Sequence, residues 1–256
     1  MTLPGGWIFN SSVTACDQGT QWSRLQEGLM KKFLSAVFCL CLPVLFIGMN
    51  NAYGDSLSKP QTLMQMAGVK ARPSGLSESV LLIIDAQREY VDGRLRLSGI
   101  DASLKEASAL LQRARKAGTP VIHVVHKAGP GSPIFASNGP YVEIAAAVAP
   151  KPGETIVTKT MPSSFTQTDL DSVLAKTGRK KLIVIGYMTH MCLSTTVMAA
   201  LERGYQTTVV ANATATRDLP DIKGGVIRAG TLQAASLAAL ADRFAIVVQN
   251  SRDIPE

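Results

Sequence analysis

Leu182-Ile183-Val184-Ile185-Gly186-Tyr187-Met188-Thr189-His190-Met191-Cys192 is the stretch whose reading decides the fold. Its apolar start reads as a β-strand over Leu182–Ile185 that ends at Gly186. The segment Cys192–Arg203 reads as a helix, closed by Gly204. A strand, a turn and a helix follow one another, with a thiol where the helix begins.

The same alternation extends outward in both directions. Val80–Asp85 is a continuous apolar run, as expected of a strand buried on both faces. Leu104, Ala107, Leu111 and Ala114 recur at helical spacing, with Asp101 or Ser103 as a cap and Gly118 as the stop. Val121–Val125 is the next strand. A short helix is expected over Tyr141–Val148 and a turn over Pro150–Gly153. Thr155–Thr158 is a strand, Leu170–Lys176 a helix closed by Gly178, and Thr207–Ala211 a strand. Thr231–Arg243 is an alanine-rich helix and Ala245–Val248 a sixth strand. Strands separated by helices require right-handed crossovers and a sheet covered on both faces. The expected fold is therefore α/β: three-layer, doubly wound, Rossmann-like, with a mainly parallel six-stranded sheet. No internal repeat or glycine-rich phosphate loop is present, and G-x-G-x-x-G is absent, which argues against a dinucleotide site.

The chain has 256 residues, a net charge of +7 and 46% hydrophobic residues, enough for one sizeable domain with a packed core. Its basic residues are thinly spread, without a block of like charge or interleaved aromatics. That excludes nucleic acid as the expected partner. Residues 30–54 begin Met-Lys-Lys, continue through an apolar run from Phe33 to Met49, and end at Ala52-Tyr53-Gly54. This is the layout of an export signal, with cleavage near Gly54 and a periplasmic or secreted product. The alternative is an uncleaved anchor, which Pro43 and the marginal length of the run disfavour. The membrane is then met only through this targeting segment. Residues 1–29 resemble neither a domain nor a signal and are expected to fall outside the mature protein, with native translation starting at Met30. Residues 55–78 are polar, carry Pro60 and Pro73, and read as a linker to a domain over 79–256. Cleavage would remove Cys16, Cys39 and Cys41 and leave Cys192 without an intrachain partner. A lone thiol in an exported protein is a liability unless it is used.

Ligands of open parallel sheets bind outside the carboxyl ends of the strands. Asp85 ends the first strand, Lys159 follows the third, and Cys192 lies past the fourth. A helix start and an ammonium both favour a thiolate. Asp85 can accept the thiol proton and return it to a leaving amine. The turn after Gly186 can supply N–H donors to an oxyanion. Each residue also has a structural alternative: a cap, a solvated charge and a small buried hydrophobe.

Leu81-Leu82-Ile83-Ile84-Asp85-Ala86-Gln87, Val157-Thr158-Lys159 with Ser163-Ser164-Phe165, and the Gly186 to Cys192 turn resemble the isochorismatase-like cysteine hydrolases over about Ser79 to Val248. The resemblance implies that Asp85 is general base and acid, Lys159 the thiolate stabiliser and Cys192 the nucleophile. It also implies a cis peptide at Tyr187–Met188, with the N–H groups of Met188 and Cys192 as oxyanion donors. No cofactor is implied. The Asp-x-His of nicotinamidases is missing after the second strand, where His126-Lys127-Ala128 stands, so no metal is expected. True isochorismatases tend to lack the cysteine, so Cys192 points to C–N hydrolysis of a small amide through a thioester. The alternatives are enol-ether C–O hydrolysis by Asp85 and Lys159, or a non-catalytic ligand-binding or thiol redox protein.

Tyr90, His126, Phe165, Tyr187, Thr189 and His190 are candidate substrate contacts, each with a packing alternative. His123 is expected to be structural, as is Asn212. Specificity for a small-molecule substrate is expected in the loops around 87–99, 127–141 and 213–228. The resemblance further implies a homo-oligomer.

Overall fold

A computed structural model describes residues 59–256. Residues 30–54, read above as an export signal, and the extension before them lie outside the described residues. In chain order the elements are α1 (Leu63–Met66), β1 (Ser79–Ile84), α2 (Ile100–Lys116), β2 (Val121–His126) and β3 (Thr155–Lys159). They continue with α3 (Leu170–Thr177), β4 (Lys181–Tyr187), α4 (Ser194–Glu202), β5 (Gln206–Ala215), a short β6–β7 hairpin (Leu219–Pro220, Val226–Ile227), α5 (Ala229–Arg243) and β8 (Ile246–Val248).

The six long strands form one sheet in the order β3-β2-β1-β4-β5-β8. Every neighbouring pair in it is parallel. This is the expected doubly wound α/β architecture. Alternation along β1 divides the core: Leu81 and Ile83 pack with Ile100, Leu104 and Leu111 of α2 on one face. Val80, Leu82 and Ile84 pack with Leu174 of α3, Val197 of α4 and Leu240 of α5 on the other. A strand with both faces covered favours apolar residues at every position, which is why Val80–Ile84 reads as an unbroken apolar run.

The chain order reverses between β1 and β4, the place where the crossovers part to opposite sides and leave a crevice at the strand ends. Gly186 makes their close approach feasible. A Cβ there would lie 2.0 Å from the Ile84 carbonyl oxygen, and its φ is 116°. Only glycine fits such a position.

The short helix expected over Tyr141–Val148 is absent, and only Ala146–Val148 makes a 3-10 turn. The carbonyls of Tyr141 and Glu143 accept hydrogen bonds from the amides of Glu89 and Arg88, and the Ala145 amide donates to Ala86. The segment is bound by these bonds to the loop after β1, so the Tyr141 and Glu143 carbonyls are unavailable for a helix. The second departure is at Cys192: Thr189–Leu193 is a π-helical turn, and α4 begins only at Ser194. The Leu193 amide reaches back to the Met188 carbonyl at 3.3 Å, one residue beyond the α-helical step. Third, the segment read as loop-like before β1 carries α1, capped by Thr62, and buries Leu76 against the sheet.

Candidate active site

The strand ends bring the polar cluster together. β1 stops at Ile84 because Asp85 turns into the left-handed region (φ 49°), which aspartate tolerates better than most residues. Its amide still donates to the Val124 carbonyl, so the turn is anchored to β2. Lys159, the last residue of β3, is in register with His126, the last of β2. From there the lysine Nζ lies 2.7 Å from Asp85 Oδ2, 3.2 Å from His126 Nδ1 and 3.4 Å from Cys192 Sγ. An ammonium has three protons, and three acceptors surround this one.

All of this is dry. Asp85 and Lys159 are 0% and 1% exposed and Cys192 is 5% exposed. Burial pushes the Asp85 carboxyl up, against the opposing pull of the Lys159 charge. Burial and then the neighbouring Asp85 charge push the Cys192 thiol up to about 12, with Lys159 acting in the other direction. His126 is pushed down to about 4, first by burial and then by Lys159, so its ring is neutral. With the ammonium donating to Nδ1, the ring proton sits on Nε2. The thiol is thus protonated at neutral pH, and Asp85 and Lys159 stand as a close pair beside it.

The turn that carries the sulfur is held from several sides. The Ser194 hydroxyl donates to the Thr189 carbonyl at 2.5 Å, and the Thr189 hydroxyl donates to Ala215 at the end of β5. The Thr196 hydroxyl lies 2.6 Å from the Cys192 carbonyl oxygen and also accepts from the Ser164 amide. The Tyr187–Met188 peptide is cis, as the sequence resemblance implied. Gln87 clamps the other wall: its Nε2 donates to the His126 and Val142 carbonyls and its Oε1 accepts from the His126 amide.

Cys192 opens on a cavity of about 210 Å³. The cavity walls include Leu95, Ile134, Phe135 and Met191, and the same lining carries Arg217. These side chains come from the three loops expected to set specificity and from the nucleophile turn. Tyr90 and His126 line it as expected, and Met188, expected as an oxyanion donor, is also on its wall. The other four candidate contacts are elsewhere. Phe165 stacks on Tyr205 at 6.3 Å within the core on the helix α4 side. Tyr187 is buried in the opposite core, its hydroxyl donating to Ser103. Thr189 serves the turn, and the Nδ1 of His190 pairs with the Thr216 hydroxyl at 2.6 Å.

Sequence reasoning passed over Arg217 and Phe135. Arg217 follows the end of β5 and so obeys the strand-end rule that picked out Asp85 and Lys159. Phe135 carries no comparable signal. His123, expected to be structural, pairs through Nε2 with Glu154, which also holds Arg115. Asn212 bridges Gln249 and Asn250 beyond β8. Among the described residues no cluster of three or more metal-binding side chains occurs.

Comparison with known proteins places these features in a wider set. The isochorismatase domain matches residues 79–251. A secreted isochorismatase effector of Verticillium dahliae is 41% identical over 189 residues, covering 74% of this chain and 96% of that protein. A ureidoacrylate amidohydrolase of Stutzerimonas stutzeri is 30% identical over 56% of this chain and 74% of its own length. The crystal structure of an isochorismatase from Pseudomonas putida superposes with a TM-score of 0.72 at 40% identity, covering 76% of this chain and 99% of that one.

Proposed function

The chain belongs to the isochorismatase family of hydrolases, and from that premise we propose that it cleaves a C–N bond of a small amide, with Cys192 as nucleophile and a thioester as intermediate. One observation carries this reading: a single buried ammonium, Lys159, lies 2.7 Å from a carboxylate and 3.4 Å from a thiol. A bond-breaking site needs this trio, and a passive binding site does not. The amidohydrolase relative supports the C–N assignment.

The high thiol value is consistent with the cycle. Releasing the thiol proton to solvent would leave a second anion in a dry site, which burial opposes. Passing it to Asp85 leaves the cluster's net charge unchanged, because the anion moves from oxygen to sulfur while Lys159 stays beside both. The thiolate adds to the amide carbonyl, and the N–H groups of Met188 and Cys192 receive the oxyanion. Asp85 delivers its proton to the departing amine as the C–N bond breaks, which leaves the thioester. Asp85 then takes a proton from water, hydroxide adds to the thioester, and the carboxylic acid leaves as the thiol is re-protonated.

Cys192→Ala is expected to lower amide turnover by at least about 10³-fold with the fold retained. A stopped reaction of the wild type should show the acyl group on Cys192 by mass spectrometry. A Cys192→Ala protein as fast as wild type, with ammonia release as the readout, removes the reading. A second reading, hydrolysis of an enol-ether C–O bond, draws on the effector relative, which is described as an isochorismatase. There Asp85 acts as the acid and Cys192 is a bystander. Full isochorismate turnover by Cys192→Ala would select it.

The protein is further proposed to be exported, through residues 30–54, in line with the secreted relative. It is also proposed to assemble as a homo-oligomer.

A further inference from the structure

We infer that the Cys192 cavity takes a small substrate bearing a carboxylate, which the Arg217 guanidinium holds while the carbonyl to be attacked lies at the sulfur; this rests on the hydrolase reading above and narrows its substrate.

Among the described residues Arg217 is the one charged side chain on a lining otherwise made of apolar groups, the neutral His126, the phenol of Tyr90 and the thiol. Asp85 and Lys159 lie behind it and neutralise each other. Arg217 makes no ion pair among the described residues, and its Nε is enclosed without an acceptor. Among the described residues its one hydrogen bond is long, 3.3 Å from Nη1 to the Asp218 carbonyl oxygen.

The carboxylates around it are committed elsewhere. That of Asp218 accepts from the Arg228 guanidinium and the Ala229 amide, each at 2.8 Å. That of Glu89 accepts from the Arg94 and Phe135 amides. Burial pushes the Tyr90 phenol well above its ordinary range, and the Arg217 charge acts in the opposite direction.

A half-enclosed cation among apolar walls, with donors left over, is unfavourable until an anion reaches it. A planar guanidinium with two parallel N–H groups suits a carboxylate, which it can grip at two points. The cavity is about 210 Å³, below the range usual for drug-sized ligands, so one small molecule spans from Arg217 to Cys192. The amide carbonyl and the carboxylate therefore belong to one compact substrate with a short apolar bridge between them.

Three probes built on the same four-carbon chain test this on the mature protein: succinamate (anionic), butyramide (neutral) and 4-aminobutyramide (cationic). Wild type is expected to favour succinamate over butyramide by about 100-fold in kcat/KM, the usual weight of an enclosed charge pair. Arg217→Gln should collapse that ratio to within about threefold, and Arg217→Lys should keep part of it. Arg217→Glu should turn the preference toward 4-aminobutyramide. Calorimetry with succinate gives a readout independent of turnover: binding to wild type, lost in Arg217→Gln.

Equal handling of the three probes by wild type, or an unchanged ratio in a folded Arg217→Gln, overturns the carboxylate site. An acyl adduct on Cys192 in that case leaves the hydrolase reading standing. Arg217-dependent binding of succinate without any adduct does the reverse.

Discussion

At the scale of single residues, the interplay of Asp85, Lys159 and Cys192 makes opposite predictions for reactivity and turnover. The thiol is pushed up to about 12, so the thiolate fraction is small at neutral pH and keeps rising as the pH approaches that value. Alkylation of the free protein by iodoacetamide should therefore accelerate well past pH 9, where an ordinary thiol has levelled off. Replacing Asp85 with Asn removes a charge that raises the thiol. Alkylation at pH 8 should become faster than in wild type while amide turnover falls by at least about 10³-fold, since the proton acceptor is gone. Slower alkylation in Asp85→Asn would show that the carboxylate does not oppose the thiolate. The strand-end rule was enough to name these three residues from the sequence. Their mutual distances were not legible there, nor was the neutral state of His126, because both depend on how deeply the cleft is buried.

At the scale of elements, one backbone position and one side-chain clamp hold the walls of the site. Gly186→Ala would put a methyl group on the Ile84 carbonyl and force a φ of 116° on a residue with a side chain. The variant is expected to be recovered only as insoluble or unfolded protein, with soluble yield and circular dichroism as the checks. Gln87→Leu leaves the His126 amide and two carbonyls without their partner. A loss of about 3 kcal/mol is expected from chemical denaturation, since each orphaned buried group costs about 1–3 kcal/mol.

The sequence marked β4, the turn and a helix, because an apolar run, a glycine and an amphipathic segment each announce themselves locally. It did not show that the first turn before α4 is π-helical, or that the segment over Tyr141–Val148 bonds to the loop after β1 instead of forming a helix. Both outcomes depend on hydrogen bonds to groups distant in sequence, and hydrophobic period is silent about those.

At the scale of the whole molecule, acid stability and assembly are the measurable quantities. Glu154 joins the Arg115 guanidinium to His123, tying α2 and β2 to the start of β3. The Arg115 hydrogen bond, with the Lys151 amide and His123, holds its carboxyl down to about 2, from an ordinary 4.5. A depressed carboxyl contributes stability that is complete above pH 4.5 and is lost as the pH falls to about 2. Glu154→Gln should flatten the acid limb of the stability curve across that window, as read by thermal melting at a series of pH values. For assembly, light scattering on the purified protein should give a mass that is a multiple of the monomer. A monomer at micromolar concentration would refute the homo-oligomer.

What the sequence by itself determined is the order of strands and helices, and with it the end of the sheet where chemistry must sit. Periodicity and chirality act along the chain and need no knowledge of its partners. Tertiary structure alone decided which side chains face the cavity, that Arg217 is left without a counter-charge, and that the thiol stays protonated. Those properties come from the low polarity and exclusion of water created when distant loops close over one another.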